Sequence, residues 1–346
     1  MPKKKTAKSK SGRPTILQVA KLTGFSQGAI SRAFNGQGGI SDATREKIMK
    51  AAKEIGYHPN PSARNFKRGY TKRLGMILPN LANANYSELY EQLDLVTAEE
   101  GYSSILALTH HSPERERNLM LQLSAGEADA LVVNPVSNLE NLDVYRKLKS
   151  WRYPVLFIYK SYDEEFDSLG VNYYASLQKA LGYLRDVGHK RVAYVGMAPM
   201  GAEPVGKHAE VIRVLSELGM GYDLEGSVLG VAADVAGEQA FRQWRESRKQ
   251  PTAVVAYNDQ TAISLMTEAK RMGVNVPQDL SILGSDDIQA AEPSELSTVR
   301  VDRAQMAQKI FEILEDRIRD FDAPVRLQSI RSEFILRNSM GPPKSH

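Results

Sequence analysis

Apolar residues between Thr15 and Gly56 recur three and four positions apart in three short runs, each with its own start and stop signals. Thr15-Ile16-Leu17-Gln18 has the form of a capping box, in which hydroxyl and amide each satisfy a backbone donor left over at a helix start. Ile16, Val19, Ala20 and Leu22 follow as an apolar stripe, and Gly24 ends it. Ser26 can cap a second helix, Gln27 to Phe34, with Ile30 and Phe34 facing inward, and Asn35-Gly36 breaks it. A third helix runs from Ser41 through Ile48, Ala51, Ala52 and Ile55 to Gly56. Tyr57-His58-Pro59-Asn60-Pro61 cannot continue a helix, because each proline pushes the residue before it out of the α region. Ser62 to Lys67 has room for one or two turns, and Arg68 to Arg73 is a basic linker, where the domain boundary is expected.

From Leu74 the period changes. Short apolar runs at 74–79, 103–109, 130–135, 154–159, 191–196, 227–231, 253–257 and 281–285 alternate with amphipathic stretches of helical length. Strands apolar on both faces, separated by helices, predict parallel sheets covered on both sides. About four such units on either side of residue 172 predict two α/β subdomains facing a cleft. Ligands in such sheets sit on the loops beyond the strand C-termini. That singles out Asn83 to Tyr86, Asn258-Asp259 and Ser285-Asp286-Asp287.

Charge adds a direction to this picture. Met1 to Arg73 carries 17 Lys and Arg against 3 Asp and Glu, a net +14, and the remainder carries −10. A basic head on an acidic body is the footprint of a molecule that holds phosphates at one end. The 42% hydrophobic and 25% charged composition is that of a soluble globular protein. No apolar run approaches the ~18 residues of a membrane span, and the basic start lacks the apolar stretch of a secretory signal, so a cytoplasmic location is expected. The chain has no cysteine, which removes disulfides and thiolate metal sites. His110-His111 is the close histidine pair, and adjacent side chains seldom converge on one ion; neither metal nor cofactor is expected. Phosphate-cradling, dinucleotide and nucleophile-elbow motifs are absent, which argues against an enzyme. An exported solute-binding protein is the other alternative, disfavoured by the head and the missing signal.

The residues also carry a family resemblance. TILQVAKLTGFSQGAISRAFNGQGGISDATREKIMKAAKEIGYHPNPSARNFKRG resembles the DNA-binding head and hinge of lactose-repressor (LacI) family regulators almost position for position. LGMILPNLANANYSEL, LRDVGHKRVAYVG and PTAVVAYNDQTAISLMTEAKRMGVNVPQDLSILGSDDI resemble successive parts of that family's sensor domain. The resemblance covers residues 15 to about 338. It implies an all-α helix-turn-helix head joined to an α/β sensor domain of two parallel-sheet subdomains, periplasmic-binding-protein-like. The expected organisation is a basic tail at 1–14, a helix-turn-helix domain at 15–58, a hinge helix and linker at 59–73, an effector-binding and dimerisation domain at 74–340, and a tail at 341–346. It further implies a homodimer on roughly palindromic double-stranded operator DNA, acting as a transcription regulator, in the repressor sense, under a small-molecule effector.

Gln27, Gly28 and Arg32 fall where the family reads base edges. Gln and Arg can read adenine and guanine bidentately, whereas Gly28 departs from the larger residue common there. Gln27 and Arg32 touching phosphate only is the alternative. Ser26 and Ser31 are read as phosphate anchors, and Thr15 and Asn35 complete the expected contacts of the head. In the hinge, Ala63, Arg64, Phe66 and Lys67 match the family pattern with Phe where Leu is usual. Phe66 is read as a minor-groove wedge or as a packing residue. The effector positions fall on Asn85, Tyr86, Asn172, Lys207, Asn258 and Asp286. Three of them depart from the family: Asn85 replaces an aromatic, Asn172 an Asp, and Lys207 the clamping Arg, a point charge instead of a fork. Hydroxyl-capable partners favour a sugar or polyol, with an anionic metabolite second. One of Asp286 and Asp287 acting only as a helix cap is the alternative there.

Overall fold

The computed structural model describes residues 14–35, 38–58, 70–136, 140–159, 164–197, 204–248 and 250–344. The chain divides into two compact units, the first ending at Thr71 and the second beginning at Lys72.

In the first unit, helices α1 (Ile16–Thr23), α2 (Gln27–Phe34) and α3 (Asp42–Glu54) close on a small core of Val19, Ile30, Ala33, Ile48 and Ala52. Local chemistry sets their ends. The Gln18 side chain accepts the Thr15 N–H at 2.7 Å, Ser26 Oγ accepts the Ala29 N–H, and Ser41 Oγ accepts the Thr44 N–H. Gly24 stops α1 in the left-handed conformation (φ 77°), which an L side chain would resist. Phe34 lies at the core's edge, its ring 5.7 Å from that of Tyr57. Leu22 departs from the expected stripe: it is 60% exposed, because α2 and α3 cover only the Val19 side of this short helix.

The second unit has two lobes. The first lobe begins with β1 (Arg73–Leu78), α4 (Ala84–Glu99), β2 (Ser103–Leu108), α5 (Pro113–Ser124), β3 (Ala130–Val133), α6 (Leu142–Ser150), β4 (Val155–Ile158) and β5 (Asp167–Asn172). The second holds α7 (Tyr174–Asp186), β6 (Arg191–Gly196), α8 (Gly206–Glu217), β7 (Gly221–Tyr222), β8 (Val228–Leu229), α9 (Ala236–Ser247), β9 (Ala253–Ala256), α10 (Asp259–Arg271), β10 (Ser281–Asp286) and β11 (Ser297–Arg300). The chain then returns: α11 (Arg303–Arg319) and β12 (Leu327–Arg331) belong to the first lobe, and β13 (Glu333–Ile335) to the second. It therefore passes between lobes after Asn172, after Arg300 and after Arg331.

The first sheet runs β12-β5-β4-β3-β1-β2 with every pairing parallel. The second runs β13-β11-β10-β9-β6-β7, with β8 also on β6 and β13 antiparallel to β11. Strand alternation sorts the core. Leu74, Met76 and Leu78 of β1 face Leu89 and Leu93 of α4 and Met306, Ile310 and Leu314 of α11, whereas Ile77 faces Met120 of α5 and Leu148 of α6. Both faces are buried, as the apolar runs predict. α11 is fixed at its far end by a buried ion pair: Arg317 Nε and Nη2 each donate to Asp167 at 2.8 Å, and Nη1 donates to Phe321 O at 2.7 Å.

Residues 341–344 do not form a free tail. Ser281 Oγ exchanges two hydrogen bonds with the Gly341 backbone, each 3.0 Å, and His189 Nε2 lies 2.9 Å from Gly341 O. Lys344 pairs with Asp279. The Ser281 and His189 side chains thereby satisfy the buried N–H and carbonyl of Gly341.

Candidate functional site

The head presents one helix face outward. On α2, Ile30 and Ala33 are buried, while Gln27, Gly28 and Arg32 are exposed and Ser31 and Asn35 half-buried. A 3.6-residue period cannot bury 30 and 33 without turning 28 and 32 outward. Ser26 is held as the α2 cap, and Asn35 Nδ2 lies 3.3 Å from Ser31 Oγ. Thr15 is occupied at the start of α1 by Gln18. Ala63, Arg64, Phe66 and Lys67 lie outside the described residues.

In the second unit a polar cluster lies beyond the C-terminal ends of the strands. Asn83 and Asn85 open α4, just after β1; Asn83 Oδ1 accepts the Asn85 N–H. Asn85 Nδ2 donates to the Tyr159 hydroxyl at 2.9 Å. Its Oδ1 is buried and has no partner among the described residues, and the same holds for Ser285 Oγ on β10. Such atoms cost stability unless something fills them. Tyr86 and Tyr159 are 5.9 Å apart, ring to ring, and Tyr159 has φ 64°, a strained value for a bulky residue.

Lys207, the second residue of α8, places its Nζ 5.2 Å from the Tyr173 ring and 5.1 Å from that of Tyr257. Burial lowers the Lys207 pKa, against the pull of the Asp286 and Asp259 charges. Asp286 ends β10 with φ 116°. Burial pushes its carboxyl well above the usual range, while Lys207 and Arg303 draw it back. Burial above all, with the Asp286 charge as a smaller cause, also raises the phenols of Tyr86, Tyr159, Tyr173, Tyr194 and Tyr257. The Asp286 carboxyl and the Lys207 amine thus lie close to one another among buried tyrosine side chains.

The other expected effector residues divide. Asn258 Oδ1 caps α10, accepting from the Thr261 N–H and hydroxyl at 2.9 and 2.8 Å. Asn172 is exposed, and its Oδ1 accepts the Tyr174 N–H at 3.0 Å, holding the first passage between lobes. Asp287, unlike Asp286, is clamped by Arg300 Nε at 2.7 Å and Arg337 Nη2 at 2.8 Å. Neither carboxylate caps a helix; Gly284 instead lets the Asp259 carboxylate come close enough to accept the Ile288 N–H at 2.9 Å. A Cβ on Gly284 would stand 2.2 Å from Asp259 Oδ1.

Tyr159, Tyr173 and Tyr257 escape the sequence reading, whereas Ser285 lies in one of the loops that it singles out. A usable signal was present: Tyr159 and Tyr257 each directly follow an apolar strand, on the side where ligands bind. Glu88 and Arg303, which pair at 2.8 Å, carried no such mark. Among the described residues no cluster of three His, Cys, Asp or Glu could hold a metal, and no helix is long and apolar enough to cross a membrane.

Comparison with known proteins agrees with both halves. Residues 15–60 match the description "Bacterial regulatory proteins, lacI family", and residues 181–340 match "Periplasmic binding protein-like domain". The HTH-type transcriptional repressor PurR of Vibrio atlanticus (strain LGP32) is 28% identical over 332 residues, spanning 94% of this chain and 98% of its own. Among solved structures, a lac repressor dimer bound to operator and the anti-inducer ONPF is similar with a TM-score of 0.82 at 21% identity, covering 95% of this chain and 99% of its own. A complex of the transcriptional regulator CelR with cellobiose has a TM-score of 0.66 at 21% identity, covering 94% and 100%. The chain thus joins a LacI-family helix-turn-helix domain to a periplasmic-binding-protein-like domain of two lobes, the arrangement of the LacI-type repressors that it resembles.

Proposed function

We propose that this protein is a cytoplasmic transcription repressor that binds a roughly palindromic operator as a homodimer and answers to a sugar or related polyol held in its sensor cleft. The observation that carries the reading is the division of α2, with Ile30 and Ala33 committed to the core and Gln27 and Arg32 left outward at the end of the chain that carries the charge of +14. Gln27, Gly28 and Arg32 face base edges; Thr15, Ser26, Ser31 and Asn35 face the backbone. Ala63, Arg64, Phe66 and Lys67 form the hinge contact, within a linker taken as 59–73 between domains at 15–58 and 74–340.

For the effector, Lys207 and Asp286 offset one another, so the pocket favours an uncharged ligand rich in hydroxyls. Such a ligand can donate to Asn85 Oδ1 and Ser285 Oγ and lie against Tyr86, Tyr173 and Tyr257. Asn172 and Asn258 complete the set from the cleft's edges. That a relative is solved with cellobiose is in keeping with this chemistry.

Two measurements test the proposal. With ~6–10 phosphates contacted, DNA affinity is expected to fall ~10³–10⁵-fold between 50 and 200 mM salt; a flat titration overturns the DNA reading. In a thermal-shift screen of cellobiose, lactose, ribose and sucrose, a sugar at 100 times its Kd adds about 2.7 kcal/mol to native stability. A panel without effect, alongside a shift with an anionic metabolite, overturns the sugar assignment.

A further inference from the structure

Most glycines at close approaches in this protein are explained by their neighbours. A Cβ at Gly75 would meet Leu131 at 2.6 Å, at Gly196 it would meet Tyr257 at 2.3 Å, and at Gly237 the Ser264 carbonyl at 2.2 Å. Gly28, on the exposed face of α2, is not explained in this way. Its backbone is helical, and the atoms nearest to an added Cβ are Arg32 Nη1 and Ser26 Oγ, both 3.9 Å away. The fold would accept a side chain here, and glycine weakens a helix of only eight residues.

The neighbour at 3.9 Å supplies a reason. Side chains on a helix lean towards its N-terminus, so residue i+4 covers the surface above residue i. Arg32 therefore lies back over residue 28, into space that any longer side chain at 28 would occupy. The lean does not stabilise the helix, since it carries a cation towards the positive end of the helix dipole. It does place a bidentate donor near the end of α2 that enters a major groove first, and a guanine edge is what such a donor pairs with.

We propose that Gly28 and Arg32 act as one reading unit, in which the missing side chain at 28 lets the Arg32 guanidinium lie back along α2 and read a guanine at the base pair that residue 28 would otherwise face. The inference rests on α2 being the operator-reading helix. It specifies which side chain takes over at the position where this chain lacks one, and it makes the two positions energetically dependent on each other.

The test uses the full chain and selection from a random duplex DNA library with wild type, Gly28→Ala, Gly28→Leu, Arg32→Ala and the double variant combining Gly28→Leu with Arg32→Ala. Wild type is expected to select a guanine at one position of each half-site. That preference disappears in Arg32→Ala, persists in Gly28→Ala because a Cβ fits, and disappears in Gly28→Leu although Arg32 is still present. On the selected operator, Arg32→Ala weakens binding ~10–100-fold in wild type but no more than ~3-fold in the Gly28→Leu background. Equal losses in both backgrounds, or a guanine preference that survives Gly28→Leu, overturn the proposal, because the introduced leucine would then act on DNA directly or not at all. Gly28→Met repeats the cycle with a different shape, and circular dichroism checks that α2 stays folded. If wild type enriches no sequence, the assignment of α2 itself fails, an outcome distinct from two independent residues on a working reading helix.

Discussion

Glu88 of the first lobe accepts the backbone N–H of Gln289 of the second at 3.1 Å, and its other carboxylate oxygen pairs with Arg303 at 2.8 Å. Arg303 in turn donates to the backbone oxygens of Asp286 and Asp287 at 2.6 and 2.7 Å. A short polar chain thus joins the lobes and ends on Asp286, which is proposed above for the effector site. Gln260 Nε2, donating to Ala82 O, is a second bond between the lobes. A ligand that engages Asp286 biases the same contacts that hold the lobes together, which is the coupling an effector-controlled regulator needs.

Glu88→Ala is therefore expected to weaken the effector response more than operator binding. Hydrogen bonds to a charged group contribute about 1.5–3 kcal/mol, so the effector concentration for half-response should rise ~10-fold or more. Operator titrations with and without the identified sugar measure this. An unchanged midpoint would show that the bond does not couple the lobes to the pocket.

The Asp286 carboxyl gives a pH signature. Its native pKa is raised by burial, so the folded state holds a proton that the unfolded chain releases near pH 4. Its contribution to stability is greatest below that pH and declines as pH rises, until the native carboxyl has also ionised. Asp286→Asn removes the decline: the variant should gain melting temperature relative to wild type at pH 8 compared with pH 5, in the absence of effector. A pH-independent difference between the two would contradict the burial argument.

Lys207→Met keeps the length of the stem and removes the charge between the Tyr173 and Tyr257 rings. Loss of the effector's influence on operator release, with operator affinity itself unchanged, is the expected result, since the two sites are separate. Isothermal titration of the sugar found in the screen decides it; wild-type affinity in the variant would remove Lys207 from the pocket.

Arg317 and Asp167 form a pair that is structural. Removing one partner of a buried ion pair costs about 3–5 kcal/mol, and here it would also leave the Phe321 carbonyl without its donor. Arg317→Met should accordingly lower chemical-denaturation stability by that amount and leave sugar affinity per folded molecule unaltered. A loss under ~1 kcal/mol would mean that solvent reaches the pair.

Phe66, read from the sequence as a wedge, predicts a bend in the operator. Phe66→Ala should reduce both bending and specific affinity, and Phe66→Leu should keep most of each, because unstacking a base step requires an apolar side chain and not an aromatic one. Circular-permutation gel shifts report the bend. Wild-type bending by the alanine variant would make Phe66 a packing residue.

The helices of the head were legible because their signals are local, although Leu22, expected in the apolar stripe, is exposed. Thr15 with Gln18, Ser26 with Ala29, Gly24 after α1 and the outward turn of Arg32 all depend on neighbours within four positions. The same holds for β1, β4, β9 and β10, whose apolar runs announce burial on both faces. Asp167–Asn172, Ser297–Arg300 and Leu327–Arg331 carry too many polar residues to stand out as strands, and their register comes from the strand beside them.

What the sequence by itself determined, then, is the head, the alternation of strand and helix, the charge asymmetry, and, through family resemblance, Lys207 and Asp286 as pocket candidates. Tertiary structure alone decided that α11 returns to the first lobe, that Asp287 is spent on Arg300 and Arg337 while Asp286 is not, and that Tyr159, Tyr173 and Tyr257 come within reach of the Asp286 charge. The physical reason is range: a helix or a cap is fixed by hydrogen bonds over three or four residues, whereas a pocket is fixed by which distant segments exclude water together. Burial moves the Asp286 and Lys207 pKa values in opposite directions, and burial is a property of the packed lobes that neither residue carries in its own stretch of chain.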